Sequence, residues 1–205
     1  MDFIHKFIPS TADDNKTTLV LLHGTGGNEE DLIPIGQFLA PDAALLGIRG
    51  KVLEGAMPRF FQRLSEGVFD EADLIFRTHE LARFIEDAAK MYALNPERLV
   101  AVGYSNGANI AASLLLLEPT ILSAAVLFRS MLPLNPEKLP ALHEKHVLMQ
   151  SGRLDPIIPA SNSERLAELL KQAGAEVALN WQNTGHGLTN PEFVTAKKWL
   201  ETVLL

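Results

Sequence analysis

Five residues, Gly103-Tyr104-Ser105-Asn106-Gly107, constrain this chain more than any others because of what stands on either side of them. Arg98 to Val102 is a short apolar, β-branched run of the kind that forms a buried strand, and Ala108 to Leu117 is apolar and long enough for a buried helix. A strand that passes into a helix through G-x-S-x-G makes a sharp turn with the serine at its tip. Glycine suits both flanks, since a side chain at either would collide with the neighbouring strand or helix. By itself the pattern also fits a serine in an ordinary strand-to-helix turn, so its chemistry depends on the rest of the chain.

The rest alternates in the same way. Thr17 to Leu22, Ala43 to Ile48, Leu122 to Phe128, His146 to Gln150 and Glu176 to Trp181 read as further strands, with Phe3 to Ile8 as an extra edge strand. Asp73 to Tyr92 carries apolar residues at helical period, Ser163 to Ala173 does so up to a stop at Gly174, and Asn190-Pro191 opens a last helix whose Phe193, Ala196, Leu200, Val203 and Leu204 face inward. Strands alternating with helices imply one α/β domain over residues 1–205, a mostly parallel sheet with helices on both faces. No repeat, low-complexity tract or Gly/Ser/Pro-rich linker divides it. Arg49 to Asp70 resists assignment. A loop of that length is either a surface excursion that tucks its aromatics into the core or a wall of the substrate pocket.

With 47% hydrophobic and 21% charged residues the composition is that of a soluble globular protein. No apolar run reaches the roughly 18 residues of a membrane span. Met1-Asp2-Phe3-Ile4-His5-Lys6 lacks the layout of a secretion signal. The absence of cysteine excludes disulfides, a thiolate nucleophile and zinc-cysteine sites, and fits a cytoplasmic protein. A net charge of −7 without a basic cluster argues against nucleic acid as a partner.

A serine hydroxyl needs a base beside it and a third group to orient that base. In a doubly wound sheet such groups come from loops at the carboxyl ends of the strands. Asp155, in Gly152-Arg153-Leu154-Asp155-Pro156-Ile157-Ile158-Pro159, directly follows the strand His146 to Gln150 and is the candidate acid, although Asp-Pro also begins ordinary turns. His186, between Gly185 and Gly187, follows the strand Glu176 to Trp181 and is the candidate base. The other histidines read as surface or packing residues, and no pair has metal-ligand spacing. His23-Gly24-Thr25-Gly26-Gly27 leaves the first central strand into a glycine-rich turn, which suits the amides of Thr25 and Asn106 facing one point as donors to an oxyanion. A glycine-rich turn can instead cradle phosphate, but this one lacks the Gly-Lys-Ser/Thr ending and the G-x-G-x-x-G spacing. His23 is expected to brace the loop, not to act as a second base.

Together the segments at 23–27, 103–107, 152–159 and 185–187 resemble the phospholipase/carboxylesterase family of α/β-hydrolases, the small capless group that includes the acyl-protein thioesterases. The likeness runs over roughly residues 15 to 204. It implies Ser105 as nucleophile, Asp155 as orienting acid, His186 as general base, an oxyanion hole from the Thr25 and Asn106 amides, and ester or thioester hydrolysis without a cofactor or metal. Thioesterase members usually carry Gln after the serine and Asp after the second glycine of the first motif, where this chain has Asn106 and Gly27. They also tend to leave the strand before the acid's strand through Ser-Gly, where this chain has Phe128-Arg129-Ser130-Met131. It thus looks closer to bacterial carboxylesterase-like members.

Residues 129–145 leave no room for a cap domain, so the cover over Ser105 is expected from Arg49 to Asp70 and Arg129 to Leu139. Phe60, Phe61, Leu64, Val68, Phe69 and Met131 then make an apolar site for a short-chain or aromatic ester, and Arg59, Arg63 and Arg129 offer contacts to an anionic group. The alternatives are a lysophospholipase or acyl-thioesterase, and a non-catalytic hydrolase-fold binding protein, which usually lacks a triad member. A dienelactone-type hydrolase is set aside because its nucleophile is cysteine. Apolar residues exposed on the edge strand or last helix would offer a homodimer contact.

Overall fold

The computed structural model describes residues 3–12 and 17–203; the readings at Met1-Asp2 and Leu204 lie outside the described residues. In chain order the structure runs β1 (His5–Ile8), β2 (Thr18–Leu22), α1 (Ile33–Leu39), β3 (Ala44–Ile48), β4 (Val52–Glu54), β5 (Met57–Arg59), β6 (Arg63–Ser65), β7 (Val68–Phe69), α2 (Glu71–Met91) and β8 (Leu99–Tyr104). It continues through α3 (Asn106–Leu117), β9 (Ala124–Phe128), β10 (His146–Gly152), α4 (Ala160–Gln172), β11 (Glu176–Gln182) and α5 (Asn190–Val203).

Seven strands form one sheet in the order β1-β3-β2-β8-β9-β10-β11, parallel throughout except for the antiparallel edge strand β1 on β3. All five residues of β2 are buried, because alternate side chains enter opposite layers. Val20 and Leu22 pack with Leu81 and Ile85 of α2, Ile110 and Leu114 of α3 and Leu166 of α4. Leu19 and Leu21 pack on the other face with Leu39 of α1 and Leu200 of α5. This is the α/β-hydrolase fold with helices on both faces. Residues 129–145, between β9 and β10, hold no helix, so no cap is inserted there. No described helix is long and apolar enough to cross a membrane.

Local signals set the helix ends. The Asp70 side chain accepts the Asp73 N–H, and Glu71 and Asp73 lie in the first turn of α2, where the helix dipole favours negative charge. Gly174, at φ +101°, ends α4 as the sequence pattern requires. Two details differ from the sequence reading. Helix α1, carrying Pro34 and Gly36, has no sequence signal strong enough to announce it. Arg49 to Asp70 is not an irregular loop but two small antiparallel hairpins, β4–β5 and β6–β7, with Gly55 and Gly67 at positive φ in their turns.

Candidate active site

β8 ends at Tyr104 and α3 begins at Asn106, so Ser105 alone makes the turn, at φ 53° and ψ −113°. A non-glycine residue is held in that sparsely populated region only when its surroundings over-determine it. Here the Ser105 N–H donates to the Phe128 carbonyl of β9 at 2.9 Å, and the Ser105 carbonyl accepts from Asn109 at 2.9 Å. The flanking glycines are steric necessities. A Cβ on Gly103 would stand 2.6 Å from the Gly107 carbonyl oxygen, and one on Gly107 would stand 1.9 Å from that of Leu22.

The candidate acid and base hang from neighbouring parallel strands, β10 and β11. Their loops continue the pairing beyond the sheet: Arg153 N–H donates to the Gln182 carbonyl at 2.8 Å and Leu154 N–H to that of Thr184 at 3.1 Å. Asp155 Oδ1 accepts the N–H groups of Ile157 and Ile158 at 2.8 and 3.2 Å, which fixes the carboxylate and leaves Oδ2 for another partner. That partner is His186, whose Nδ1 lies 2.8 Å from Oδ2 while its Nε2 lies 3.0 Å from Ser105 Oγ. With Nδ1–H donating to the carboxylate, Nε2 is the acceptor facing the hydroxyl. The structure therefore brings Ser105, His186 and Asp155 into one hydrogen-bonded chain, with Asp155 almost wholly buried.

Thr25 follows β2 in a turn where Gly26, at φ +84°, donates its N–H to the Pro58 carbonyl of β5 at 2.9 Å. The Thr25 hydroxyl accepts from Arg59 Nη1 at 2.8 Å, so the hairpin β4–β5 holds this turn from outside. His23 holds it from inside. Gly50 N–H donates to His23 Nε2 at 3.0 Å, which leaves Nδ1–H to donate to the Gly24 carbonyl at 2.6 Å. Burial pushes the His23 imidazole below its ordinary value of 6.5, in keeping with a neutral brace. Asn106 heads α3, where the first backbone N–H groups have no partner within the helix. Its side-chain Oδ1 accepts the Phe60 N–H at 2.7 Å, tying the hairpin region to the residue beside Ser105.

Several expected pocket residues stand elsewhere. Phe60 and Phe61 are buried core residues and do not face an open pocket. Phe69 is half-buried, edge-on to Phe61 at 5.0 Å, and packs against the same core. Leu64 is exposed at 72% and Val68 at 51%, because β6 and β7 form a protruding two-stranded ribbon. Met131 is nearly buried, with its methyl group beside Gly67. Arg59 is also buried and shares Glu54 with Arg63, so both guanidiniums already have a carboxylate. A 650 Å³ cavity lined by Phe7, Thr18, Ala44 and Tyr92 lies at the amino ends of β2 and β3, across the sheet from Ser105, and is no part of this site.

Arg129 is the clearest correction. Its side chain is fully buried and paired with the fully buried Glu192, so it cannot meet an anionic substrate group. Two contributors escaped the sequence reading. Tyr104 donates its hydroxyl to the His186 carbonyl at 3.2 Å, and Glu192 accepts from Thr189 N–H at 2.9 Å and Thr189 Oγ1 at 2.8 Å. Thr189-x-x-Glu192 has the spacing of a capping box, and α5 begins directly after Thr189, at Asn190.

A model of the dienelactone hydrolase family matches residues 62–198, more than half of the chain. The missing cysteine therefore excludes a thiolate nucleophile but not that family, which corrects the sequence argument. MhqD of Bacillus subtilis (strain 168), which carries a hydrolase name, is 47% identical over 98% of this chain and 99% of its own length. A crystal structure of a Bacillus cereus carboxylesterase superposes with a TM-score of 0.96 at 46% identity, covering 98% of this chain and 95% of that one. Acyl-protein thioesterase 1 of Mycosarcoma maydis is 27% identical over 80% of this chain and 78% of its own.

Proposed function

The chain belongs to the dienelactone hydrolase family as a carboxylesterase-type enzyme, and from that premise we propose that it cleaves small carboxylic esters through Ser105, His186 and Asp155. The observation that carries this reading is the pair of contacts made by one imidazole, 3.0 Å to Ser105 Oγ and 2.8 Å to Asp155 Oδ2. Ser105 Oγ attacks the ester carbonyl while His186 Nε2 takes its proton, and Asp155 stabilises the imidazolium that results. The amides of Thr25 and Asn106 receive the developing oxyanion. His186 returns the proton to the departing alkoxide, leaving an acyl group on Ser105. Water then gives a proton to His186 and attacks the acyl carbon, and Ser105 leaves with that proton as the acid departs.

Short-chain or aromatic esters suit a site flanked by the short β4–β5 hairpin, of three residues per strand, with Met57 beside Gly26 of the oxyanion turn. The test is Ser105→Ala, expected to fold normally and to lose several orders of magnitude in hydrolysis of p-nitrophenyl acetate and in labelling by a fluorophosphonate. Near-normal turnover would refute the serine. A p-nitrophenyl ester series peaking at palmitate would refute the substrate size. The thioesterase-named relative gives acyl thioesters a place in the same panel as the second reading.

A further inference from the structure

Resting on the roles just given to Ser105, His186 and Asp155, we propose that Arg129, held by Glu192, is the residue that positions His186 for proton transfer. All five N–H bonds of its guanidinium are engaged. Nε donates to the Gly185 carbonyl at 3.0 Å and Nη2 to the Gly187 carbonyl at 2.7 Å, the carbonyls of the two residues on either side of His186. Nη1 donates to the Gln150 carbonyl at 3.1 Å, and both Nη groups pair with the two carboxylate oxygens of Glu192. Because Tyr104 binds the carbonyl of His186 itself, three successive carbonyls, 185 to 187, are tethered by side chains.

The loop needs such tethers. Glycine on both sides of His186 supplies no side chain to anchor it, and a Cβ on Gly187 would meet nothing within 4 Å. Arg129 also adopts φ +57°, a conformation suited to glycine, so its side chain is kept at a backbone cost. A fully buried ion pair is a poor source of stability compared with apolar packing of the same volume. Strain and burial are better explained by what the fork of donors reaches. Lysine could keep the charge opposite Glu192, but a single ammonium cannot span two carbonyls and a carboxylate. Glu192 in turn is fixed by Thr189 in the first turn of α5, so the histidine loop is referenced to a helix packed on the sheet.

The decisive variants are Arg129→Lys, which keeps the charge pair, and R129M/E192Q, which buries no charge. In each, thermal unfolding, kcat and KM for p-nitrophenyl acetate, and the downfield proton resonance of the His186 Nδ1–H bond are measured. The expected result is a folded protein with KM changed by less than about three-fold, kcat lowered by about 10- to 100-fold, and the resonance shifted or broadened. Wild-type kcat with an unchanged resonance in a folded variant overturns the proposal. Loss of folding in both variants overturns it equally, since the pair would then be a structural prop. An active Ser105→Ala protein refutes the serine reading without touching the resonance measurement, whereas an inactive one beside fully active Arg129 variants refutes this proposal alone.

Discussion

Replacing Gly107 with alanine puts the geometry of the serine turn to a direct test. The added Cβ would lie 1.9 Å from the Leu22 carbonyl oxygen, 2.4 Å from its carbon and 2.6 Å from the His23 carbonyl oxygen. All three are backbone atoms, so no rotamer change relieves the contact. Restoring an ordinary separation of about 3.4 Å moves the start of α3 away from the end of β2 by roughly 1.5 Å. Overpacking of this kind costs about 3 kcal/mol, against which alanine returns about 1 kcal/mol of helix propensity. The net loss of about 2 kcal/mol lowers Tm by roughly 4–8 °C in a protein of this length. Activity should suffer more, because the same shift separates the Asn106 amide from the Thr25 amide, and misplacement by about 1 Å is enough for a 10²-fold loss. Gly187→Ala is the internal control for the steric term alone, since its Cβ meets nothing within 4 Å and Tm should stay near wild type. Calorimetry and p-nitrophenyl acetate hydrolysis decide the matter. A Gly107→Ala protein with unaltered Tm and kcat would refute the steric reasoning.

Asp155→Asn retains an acceptor for the Ile157 and Ile158 N–H groups but presents an amide to His186. By analogy with serine hydrolases generally, kcat should fall by roughly 10⁴-fold with little change in Tm; a loss below ten-fold would remove Asp155 from the site. For His23 the sign follows from burial, which lowers its value in the folded state below the 6.5 of the unfolded chain. Its contribution is therefore fully present above pH 6.5 and is lost as pH falls through the folded value. His23→Gln should be less stable at neutral pH yet show a shallower fall below it, by up to about 1.4 kcal/mol per pH unit; identical slopes in chemical denaturation series would contradict this.

What the sequence discloses follows from how local each signal is. The central strands were legible because both their faces are buried, leaving unbroken apolar runs such as Leu19 to Leu22. Ser105, Asp155 and His186 were legible as candidates because each follows a recognisable strand, and a parallel sheet brings those strand ends together. The hairpins between Arg49 and Asp70 escaped because strands of two or three residues have no measurable period. Phe60 and Phe61 were assigned to a pocket because aromatic character does not distinguish a lining from a core. Arg129 was misread for a deeper reason: its partner lies 63 residues away, and an unpaired arginine belongs at the surface. The spacing Thr189-x-x-Glu192 fits a capping box that went unread, and nothing in it announces that the same carboxylate also binds a guanidinium.

The continued pairing of the acid and base loops divides the site into two mechanical bodies. Asp155 and His186 follow β10 and β11, whose loops are hydrogen-bonded to each other, whereas Ser105 belongs to β8 and α3, two strands from β10 with β9 between them. Breathing of the sheet between β8 and β10 therefore leaves the carboxylate–imidazole contact intact and falls on the distance between His186 Nε2 and Ser105 Oγ. In the proposed mechanism that gap is where the proton crosses, which would make the stiffness of β9, with Arg129 at its carboxyl end, a property of the reaction coordinate as well as of the fold.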